Sequence, residues 1–113
     1  MKGKCDAKCT GVCPVETTLK VIGGKWKILI LFHLHDGAKR FSELRRAMPM
    51  VTEKMLTKQL KELTKDGVIS RKVYPQVPPK VEYSVTRYGN TLHPIIHAMC
   101  RWGLEHTRRN GKK

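Results

Sequence analysis

The chain has 113 residues, a length that suits one domain. It contains 23 Lys or Arg against 9 Asp or Glu, and its formal net charge of +14 at pH 7 suits a polyanionic partner. The longest aliphatic and aromatic run, Ile28 to Phe32, is far below the ~20 residues of a membrane span, and residues 1–11 lack the apolar segment of a signal peptide. We therefore expect no membrane contact and a cytoplasmic, nucleoid-associated protein whose four cysteines are reduced.

The N-terminal part of the chain predicts an arm and a short helix. Residues 1–12 contain Lys, Gly and Cys without apolar periodicity, so we expect a mobile basic arm. An apolar stripe at i, i+4 and i+7 then predicts a helix that ends at Gly23-Gly24. Its members are Val15, Leu19 and Ile22. The domain itself is expected to occupy residues 13–109, with residues 110–113 as a basic tail.

Residues 25–34 predict a second helix that is apolar on nearly every side. Its apolar residues are Trp26, Ile28, Leu29, Ile30, Leu31, Phe32 and Leu34. A helix of this kind is normally buried, so it should form the centre of the core, with Trp26 inside it. Asp36-Gly37 predicts a turn, and residues 39–41 predict a small strand that pairs with a later hairpin.

Residues 41–86 have the element order of a winged helix-turn-helix. A short helix, with Ser42 as its expected N-cap, ends before Pro49, and Thr52 caps a longer helix. Asp66-Gly67 ends that helix. Two strand-like runs follow, and their connection contains Pro75, Pro78 and Pro79. This order predicts a mainly α fold with a small β-hairpin wing, an α+β class whose second helix enters a DNA major groove.

The longer helix has two opposite faces. Leu56, Leu60 and Leu63 form one stripe, which lies roughly 160–200° from a polar stripe at 100° per residue. The polar stripe consists of Lys54, Thr57, Lys58 and Lys61. A solvated surface is the simple alternative. The leucine face and the preceding turn favour DNA contact, with the N-terminal turns nearest the bases.

Other candidate DNA contacts flank this helix. Arg45 and Arg46, on the preceding helix, are expected to contact phosphates or to remain solvated. Thr52, at the start of the longer helix, is also a candidate for DNA contact. Lys72 and Lys80 flank the proline-rich wing and are candidates for backbone or minor-groove contact.

Residues 86–109 predict a last helix with an apolar side and an internal kink. Pro94 should bend the helix and leave the Asn90 carbonyl without its usual donor. The apolar side includes Leu92, Ile95, Ile96, Met99 and Trp102. Together with Val15 and Leu19 it predicts a homodimer through the terminal helices, and Trp102 is expected to be buried.

Several quoted segments resemble one family. CPVETTLKVIGGKWK, RFSELRRAMPMVTEKMLTKQLKELTKDGVISRKVY and VPPKVEYSVTRYGNTLHPIIHAMCRWG occur in order and resemble the HxlR family of bacterial transcriptional regulators, which is related to the MarR-type winged-helix group. The resemblance covers residues 13–103. It implies a homodimer that binds pseudo-palindromic double-stranded operators.

The cysteines suggest that the protein responds to oxidants or electrophiles. Cys13 precedes Pro14 at a helix start, where a thiolate is stabilised and oxidants or electrophiles react. The resemblance implies a redox-sensing cysteine at this position, while a buried, inert thiol is the alternative. Cys5, Cys9 and Cys13 have the spacing C-x3-C-x3-C, so a metal or thiol sensor stays open. Cys100 is expected in the core or the dimer interface.

The remaining chemistry gives little support to other functions. His93, His97 and Cys100 have a spacing that could hold a metal, but no carboxylate is near to orient the rings, so we expect no metal and no cofactor. The sequence lacks motifs typical of enzymes, so we do not expect enzymatic activity.

We expect a sequence-specific transcriptional regulator. A non-specific nucleic-acid-binding protein is the alternative, although only 6% of the residues are aromatic and available for stacking.

Overall fold

The computed structural model describes residues 13–111, which form a helical body with a small antiparallel sheet. The helices are α1 (Pro14–Ile22), α2 (Trp26–Leu34), α3 (Phe41–Ala47), α4 (Glu53–Lys65) and α5 (His93–Arg109). The strands are β1 (Lys39–Arg40), β2 (Ile69–Tyr74) and β3 (Lys80–Val85), and a 3-10 turn, Gly89–Leu92, precedes α5. The predicted winged helix-turn-helix, mainly α with a hairpin wing, is confirmed. The expected arm at residues 1–12 and the last two residues lie outside the described part of the chain.

The sheet has the order β1-β3-β2, and both pairings are antiparallel. β2 and β3 form the wing, with Ile69 opposite Val85 at its base and Tyr74 opposite Lys80 near its tip. The predicted small strand is confirmed because Lys39 pairs with Tyr83. The three prolines lie in the connection between β2 and β3, where a missing N–H donor breaks no ladder hydrogen bond.

One apolar cluster holds the helices and the sheet together. Its fully enclosed side chains are Ile30, Leu31 and Leu34 of α2, Leu44 of α3, Leu56, Leu60 and Leu63 of α4, and Val51, Val68 and Ile69 beside them. The expectation that α2 is buried on every side is wrong, because Leu29 is 36% exposed and Phe32 is 49% exposed. Within a single chain the core covers only one side of α2. Trp26 is half-buried and packs against the cluster.

Both ends of α4 match their sequence signals. The Thr52 hydroxyl accepts a hydrogen bond from the Met55 N–H at 3.0 Å, which satisfies a first-turn donor. At the other end Gly67 has φ +80°, a conformation that glycine adopts without a Cβ penalty. This lets the Val68 N–H donate to the Leu63 carbonyl at 3.2 Å as the chain leaves for β2.

The predicted N-cap of α3 is wrong. Ser42 lies inside the helix, and Arg40 occupies the cap position. The Arg40 backbone N–H donates to Glu43 Oε1 at 2.7 Å, so an acidic side chain of the first turn closes this end. The helix begins earlier than expected because β1 leads into it directly.

The predicted kink in the last helix is also wrong. α5 begins at His93, so Pro94 lies in its first turn, where a missing N–H breaks no helical hydrogen bond. The Asn90 carbonyl does have a donor, because it accepts from the His93 N–H. The 3-10 turn packs tightly against the residue that precedes β2, since a Cβ on Gly89 would collide with the Val68 carbonyl oxygen. That close packing fixes where α5 starts.

α5 extends from the body with little cover. None of its residues is buried, and Trp102 is 68% exposed. The expectation that Trp102 is a core residue is therefore wrong for the single chain. Cys100 is also exposed, so of the two places expected for it the core is excluded.

Candidate nucleic-acid interface

The two faces of α4 separate packing from exposure. Leu56, Leu60 and Leu63 are 0–1% exposed and fix the helix on the core. All four members of the predicted polar stripe are exposed. They are Lys54, Thr57, Lys58 and Lys61. Three cations and a hydroxyl therefore share a free helix face, a combination that suits both phosphate and base-edge contacts.

The flanking candidates next to α4 differ in their surroundings. Arg46 is exposed, whereas Arg45 is half-buried and its Nη1 lies 3.5 Å from Glu53 Oε1 in the first turn of α4. That ion pair connects α3 to the start of α4. Thr52 is exposed, but its hydroxyl is engaged in the cap of α4.

The two wing lysines are held to different degrees. Lys80 is half-buried, with its Nζ 4.7 Å from the Tyr74 ring centroid and 3.4 Å from Glu82 Oε2. Lys72 is exposed, and its Nζ lies 5.0 Å from the same ring centroid. Two cations therefore lie close to the Tyr74 ring. Lys72 is the more accessible of the two lysines.

Glu82 partly neutralises the wing. Burial, the largest single influence, raises the pKa of Glu82, but hydrogen bonds from Tyr74 and Lys80, with the charges of Lys80 and Arg40, outweigh it. The net result is a pKa below the ordinary value of a glutamate. The carboxylate is thus charged at neutral pH, and it competes with an external anion for Lys80.

Arg71 was not among the sequence candidates. It is exposed on β2 and, with Thr57 and Lys61, lines a groove between α4 and the sheet. Alternation along the strand offered a signal, because Arg71 is two residues from buried Ile69 and shares its side of the sheet. A cation in this place adds positive charge beside the polar face of α4.

An ion pair between a buried lysine and a half-buried glutamate connects α4 to α2. Lys27 of α2 is only 9% exposed, and its Nζ lies 2.7 Å from Glu62 Oε1 of α4. The hydrogen bond from Lys27, followed by its charge, lowers the pKa of Glu62, and the charges of Lys58 and Lys65 act in the same direction against the opposing effect of burial. This pair ties the core helix to the candidate DNA-binding helix.

The predicted dimer residues divide into two groups. Leu92 and Ile96 are half-buried and pack against the core of the same chain. The others remain on the surface: Val15 (55% exposed), Leu19 (55%), Ile95 (42%), Met99 (50%) and Trp102 (68%). Leu19 of α1 and Ile95 and Met99 of α5 line a shared apolar groove. An exposed patch of this kind is typical of an interaction surface.

Cys13 occupies the N-cap position of α1 and is half-buried. Its carbonyl accepts a hydrogen bond from the Thr17 N–H at 3.1 Å, so the residue is part of the helix start, as expected. The rest of the predicted cluster, Cys5 and Cys9, lies outside the described residues. Within residues 13–111 no group of three His, Cys, Asp or Glu side chains is arranged to hold a metal.

Comparison with known proteins identifies the family to which this chain belongs. The model of the HxlR-like helix-turn-helix family matches residues 21–111. The chain belongs to this family. It is a transcriptional regulator of the helix-turn-helix type, and HxlR-like proteins of this type bind DNA.

Individual relatives agree with the HxlR-like assignment. The HTH-type transcriptional regulator YdeP of Bacillus subtilis (strain 168) is 59% identical over 100 residues, which cover 88% of this chain and 78% of that protein. The redox regulator HypR in its oxidized form is 58% identical with a TM-score of 0.80, over 82% of this chain and 96% of HypR. The reduced form of the transcriptional regulator YodB from B. subtilis is 38% identical with a TM-score of 0.72, over 80% of this chain and 90% of YodB. Among residues 13–111, no helix of this HxlR-like chain is long and apolar enough to cross a membrane.

Proposed function

We propose that this HxlR-like regulator binds a specific DNA operator as a homodimer, with α4 as its recognition helix. The observation that carries the proposal is the division of α4 into a leucine face that is 0–1% exposed and an exposed basic face. We call that exposed set, Lys54, Thr57, Lys58 and Lys61, the recognition face. Because none of these four side chains belongs to the buried face that packs α4 on the core, the recognition face is available for the major groove.

Roles within the recognition face follow from position along α4. Lys54, Thr57 and Lys58 lie in its N-terminal half, the part that recognition helices present to base edges. Thr57 can contact a thymine methyl group or a base-edge hydrogen-bonding atom, and a lysine can contact guanine or phosphate. Lys61 lies farther along, beside Arg71, and the two cations suit a phosphate of the groove edge.

The flanking cations extend this surface. Arg46 and Lys72 are exposed on α3 and on the wing, and we assign them to phosphates on either side of α4. Arg45 and Thr52 act at the start of α4, where the ion pair to Glu53 and the hydroxyl cap hold the helix in place. Lys80 joins the DNA-contacting set when phosphate replaces Glu82 as its partner.

The homodimer would form through α1 and α5. The groove between these helices exposes Leu19, Ile95 and Met99, and Trp102 continues the apolar surface along α5. Covering this surface with a second copy would bury side chains that the single chain leaves in water. A two-fold dimer places two recognition helices in successive major grooves, ~34–36 Å apart, and so requires an inverted repeat.

Selection of binding sites from a pool of random duplexes tests this function. We expect the protein to enrich one inverted repeat and to retain it against excess random competitor DNA. Failure to enrich any sequence, with equal affinity for all duplexes, would instead support a non-specific nucleic-acid-binding protein.

We further propose that Cys13 makes operator binding responsive to oxidants or electrophiles. Cys13 lies at the N-terminus of α1, where the helix dipole favours a thiolate, in a chain with a net charge of +14. HypR, 58% identical to this chain, is named a redox regulator. Cys5 and Cys9, if they act with Cys13, would give a thiol or metal sensor instead.

Single cysteine substitutions separate these possibilities. Mild oxidation with diamide should change operator affinity in the native protein and in Cys100→Ser, but not in Cys13→Ser. Loss of the response in Cys5→Ser or Cys9→Ser would assign the sensor to the N-terminal cluster. An unchanged affinity in the oxidised native protein would show that the regulator does not respond to thiol oxidation.

A further inference from the structure

The tip of the wing is a contiguous apolar loop that the fold leaves in water. Residues 75–79, PQVPP, connect β2 to β3, and all five are exposed. Val77 is 97% exposed, so nothing in the described part of the chain covers it. Gln76 carries the polar side chain of the loop, and the other four residues have none. Because these four add nothing to the core, they are available for contact with a partner.

The loop is restricted in conformation and poor in hydrogen-bond donors. The Gln76 N–H donates to the Tyr74 carbonyl at 2.9 Å, and Tyr74 pairs with Lys80 across the hairpin. Each of the three prolines has a fixed φ and no N–H. A loop of this kind loses little conformational freedom when it docks. It contacts its partner mainly by packing, since the prolines cannot donate to a phosphate or to a base edge.

The charges of the wing lie on the strands behind this tip. Between Ile69 and Val85 the cations are Arg71, Lys72 and Lys80, against the single carboxylate of Glu82. A partner that complements the wing therefore places anionic groups beside the strands and a less polar surface at the tip. The minor groove of DNA has this arrangement, because phosphates line its edges whereas sugars and bases form its interior.

The length of the wing suits a groove next to the one that α4 enters. β2 has six residues, and it starts at Ile69, shortly after α4 ends at Lys65. Its five steps span ~17 Å at ~3.4 Å per residue. Successive major grooves are ~34 Å apart, so a minor groove lies roughly half that distance from each of them. The tip is therefore far enough from α4 to meet the adjacent minor groove.

We propose that Val77 and Pro78 form an apolar wedge that enters the minor groove beside each half-site and unstacks a base step there. Some minor-groove proteins bend DNA by inserting apolar side chains between bases. Pyrimidine–purine steps such as TA unstack readily, whereas A-tracts are stiff. The operator therefore includes a deformable step beside each half-site, which the protein recognises through stiffness and not through hydrogen bonds. This inference rests on the proposed function, because binding of α4 places the wing.

Fluorescence of 2-aminopurine, which rises when this base unstacks, tests the wedge in the full-length protein. The base is placed at successive positions beside one half-site of the enriched operator. We expect the native protein to raise the fluorescence at one step and Val77→Ser to leave that step stacked. Replacing the step by an A-tract should weaken native binding by about tenfold, the scale of one unfavourable base pair, and should affect Val77→Ser much less.

Val73→Ser is the matched control. It removes the same side chain from the wing, but Val73 is 50% exposed and pairs with Val81 within the strands, behind the tip. Val73→Ser should unstack the step and retain the flank preference. Val77→Ile, which keeps an aliphatic side chain at the tip, should do so as well. Circular dichroism verifies that each variant is folded.

The possible failures are distinguishable. A native protein that selects its inverted repeat but leaves every flanking base stacked would overturn the wedge and leave the proposed function standing. Unstacking by Val77→Ser equal to that of the native protein would also overturn it, and would leave the tip to a protein partner. Equal losses in Val77→Ser and Val73→Ser would contradict a specific role of the tip. Absence of any specific operator for the native protein would instead overturn the proposed function, and the wedge with it.

Discussion

At the residue scale, the central question is which side chains contact DNA without supporting the fold. Lys58 is exposed on one face of α4, and the leucines on the opposite face of the helix are 0–1% exposed. Its removal should therefore change binding while leaving the core intact. The same helix offers a matched control in Lys65, which is equally basic and exposed but lies in the last turn.

We expect Lys58→Ala to weaken operator binding with a change in unfolding free energy within about 0.5 kcal/mol, as for most surface substitutions. If Lys58 contacts phosphate, the slope of log affinity against log salt falls by about one unit on every sequence. If it contacts a base, about 1–3 kcal/mol is lost at one operator position. Fluorescence anisotropy over a salt series distinguishes the two.

Lys65→Ala should leave operator affinity nearly unchanged, apart from a small effect of net charge. Equal losses in Lys58→Ala and Lys65→Ala would mean that only total charge matters. Unchanged affinity in both Lys54→Ala and Lys58→Ala would refute the assignment of the recognition face.

The ion pair between Lys27 and Glu62 should make stability depend on pH. The pKa of Glu62 is lowered in the folded protein, so at low pH the unfolded chain binds more protons at this residue. Its contribution is complete above the ordinary pKa of a glutamate and is lost as the pH falls through the lower, folded value. Urea unfolding between about pH 6 and pH 3 should show this loss in the native protein and a smaller one in Glu62→Gln. Identical pH profiles would contradict the role of the pair.

The residues that sequence could predict are those set by local periodicity. The leucine spacing of α4 and the Thr52 cap depend on neighbours within one helix, and both are observed. The pair between Lys27 and Glu62 joins two helices, and Lys27 stands in an apolar run that gives no hint of a buried cation. Arg71 likewise gains its importance from lying beside Lys61 across a groove. Such contacts follow from tertiary packing, which a single sequence pattern does not specify.

At the element scale, α1 and α5 carry the proposed dimer interface. We expect the native protein to sediment as a dimer at micromolar concentration. Ile95→Asp combined with Met99→Asp should give a folded monomer, because these side chains are 42% and 50% exposed and place charge at the interface without entering the core. Analytical ultracentrifugation with circular dichroism measures both properties.

A control for this pair lies on the wing. Val73→Asp introduces one carboxylate at a side chain that is 50% exposed on β2, away from α1 and α5, and the dimer should persist. A native protein that remains monomeric at micromolar concentration and still binds an inverted repeat tightly would contradict the dimer. So would an Ile95→Asp, Met99→Asp protein that sediments as a dimer.

The elements themselves were largely predictable, and the errors have physical causes. Order and length followed from apolar spacing and from glycine and proline, as at the end of α4. The sequence did not predict the start of α5, because the 3-10 turn before Pro94 packs Gly89 against Val68, a contact between segments distant in the chain. The exposure of Phe32 and Trp102 was missed because an apolar stripe does not reveal whether its own chain or a partner covers it.

At the scale of the whole molecule, charge and symmetry act together. A dimer would present twice the +14 charge of one chain, which accelerates encounter with DNA and makes affinity strongly salt-dependent. Charge alone attracts any duplex. Specificity instead requires two recognition helices at a fixed separation, so the distance between half-sites should matter as much as their sequence.

The most direct test is therefore the affinity of the dimer for its enriched inverted repeat with and without about five extra base pairs at the centre, half a helical turn of DNA. We expect the insertion to reduce affinity by a hundredfold or more, toward the level for random DNA, because the second half-site turns to the opposite side of the duplex. An operator that keeps its full affinity after the insertion would contradict a rigid two-fold dimer that contacts DNA through α4.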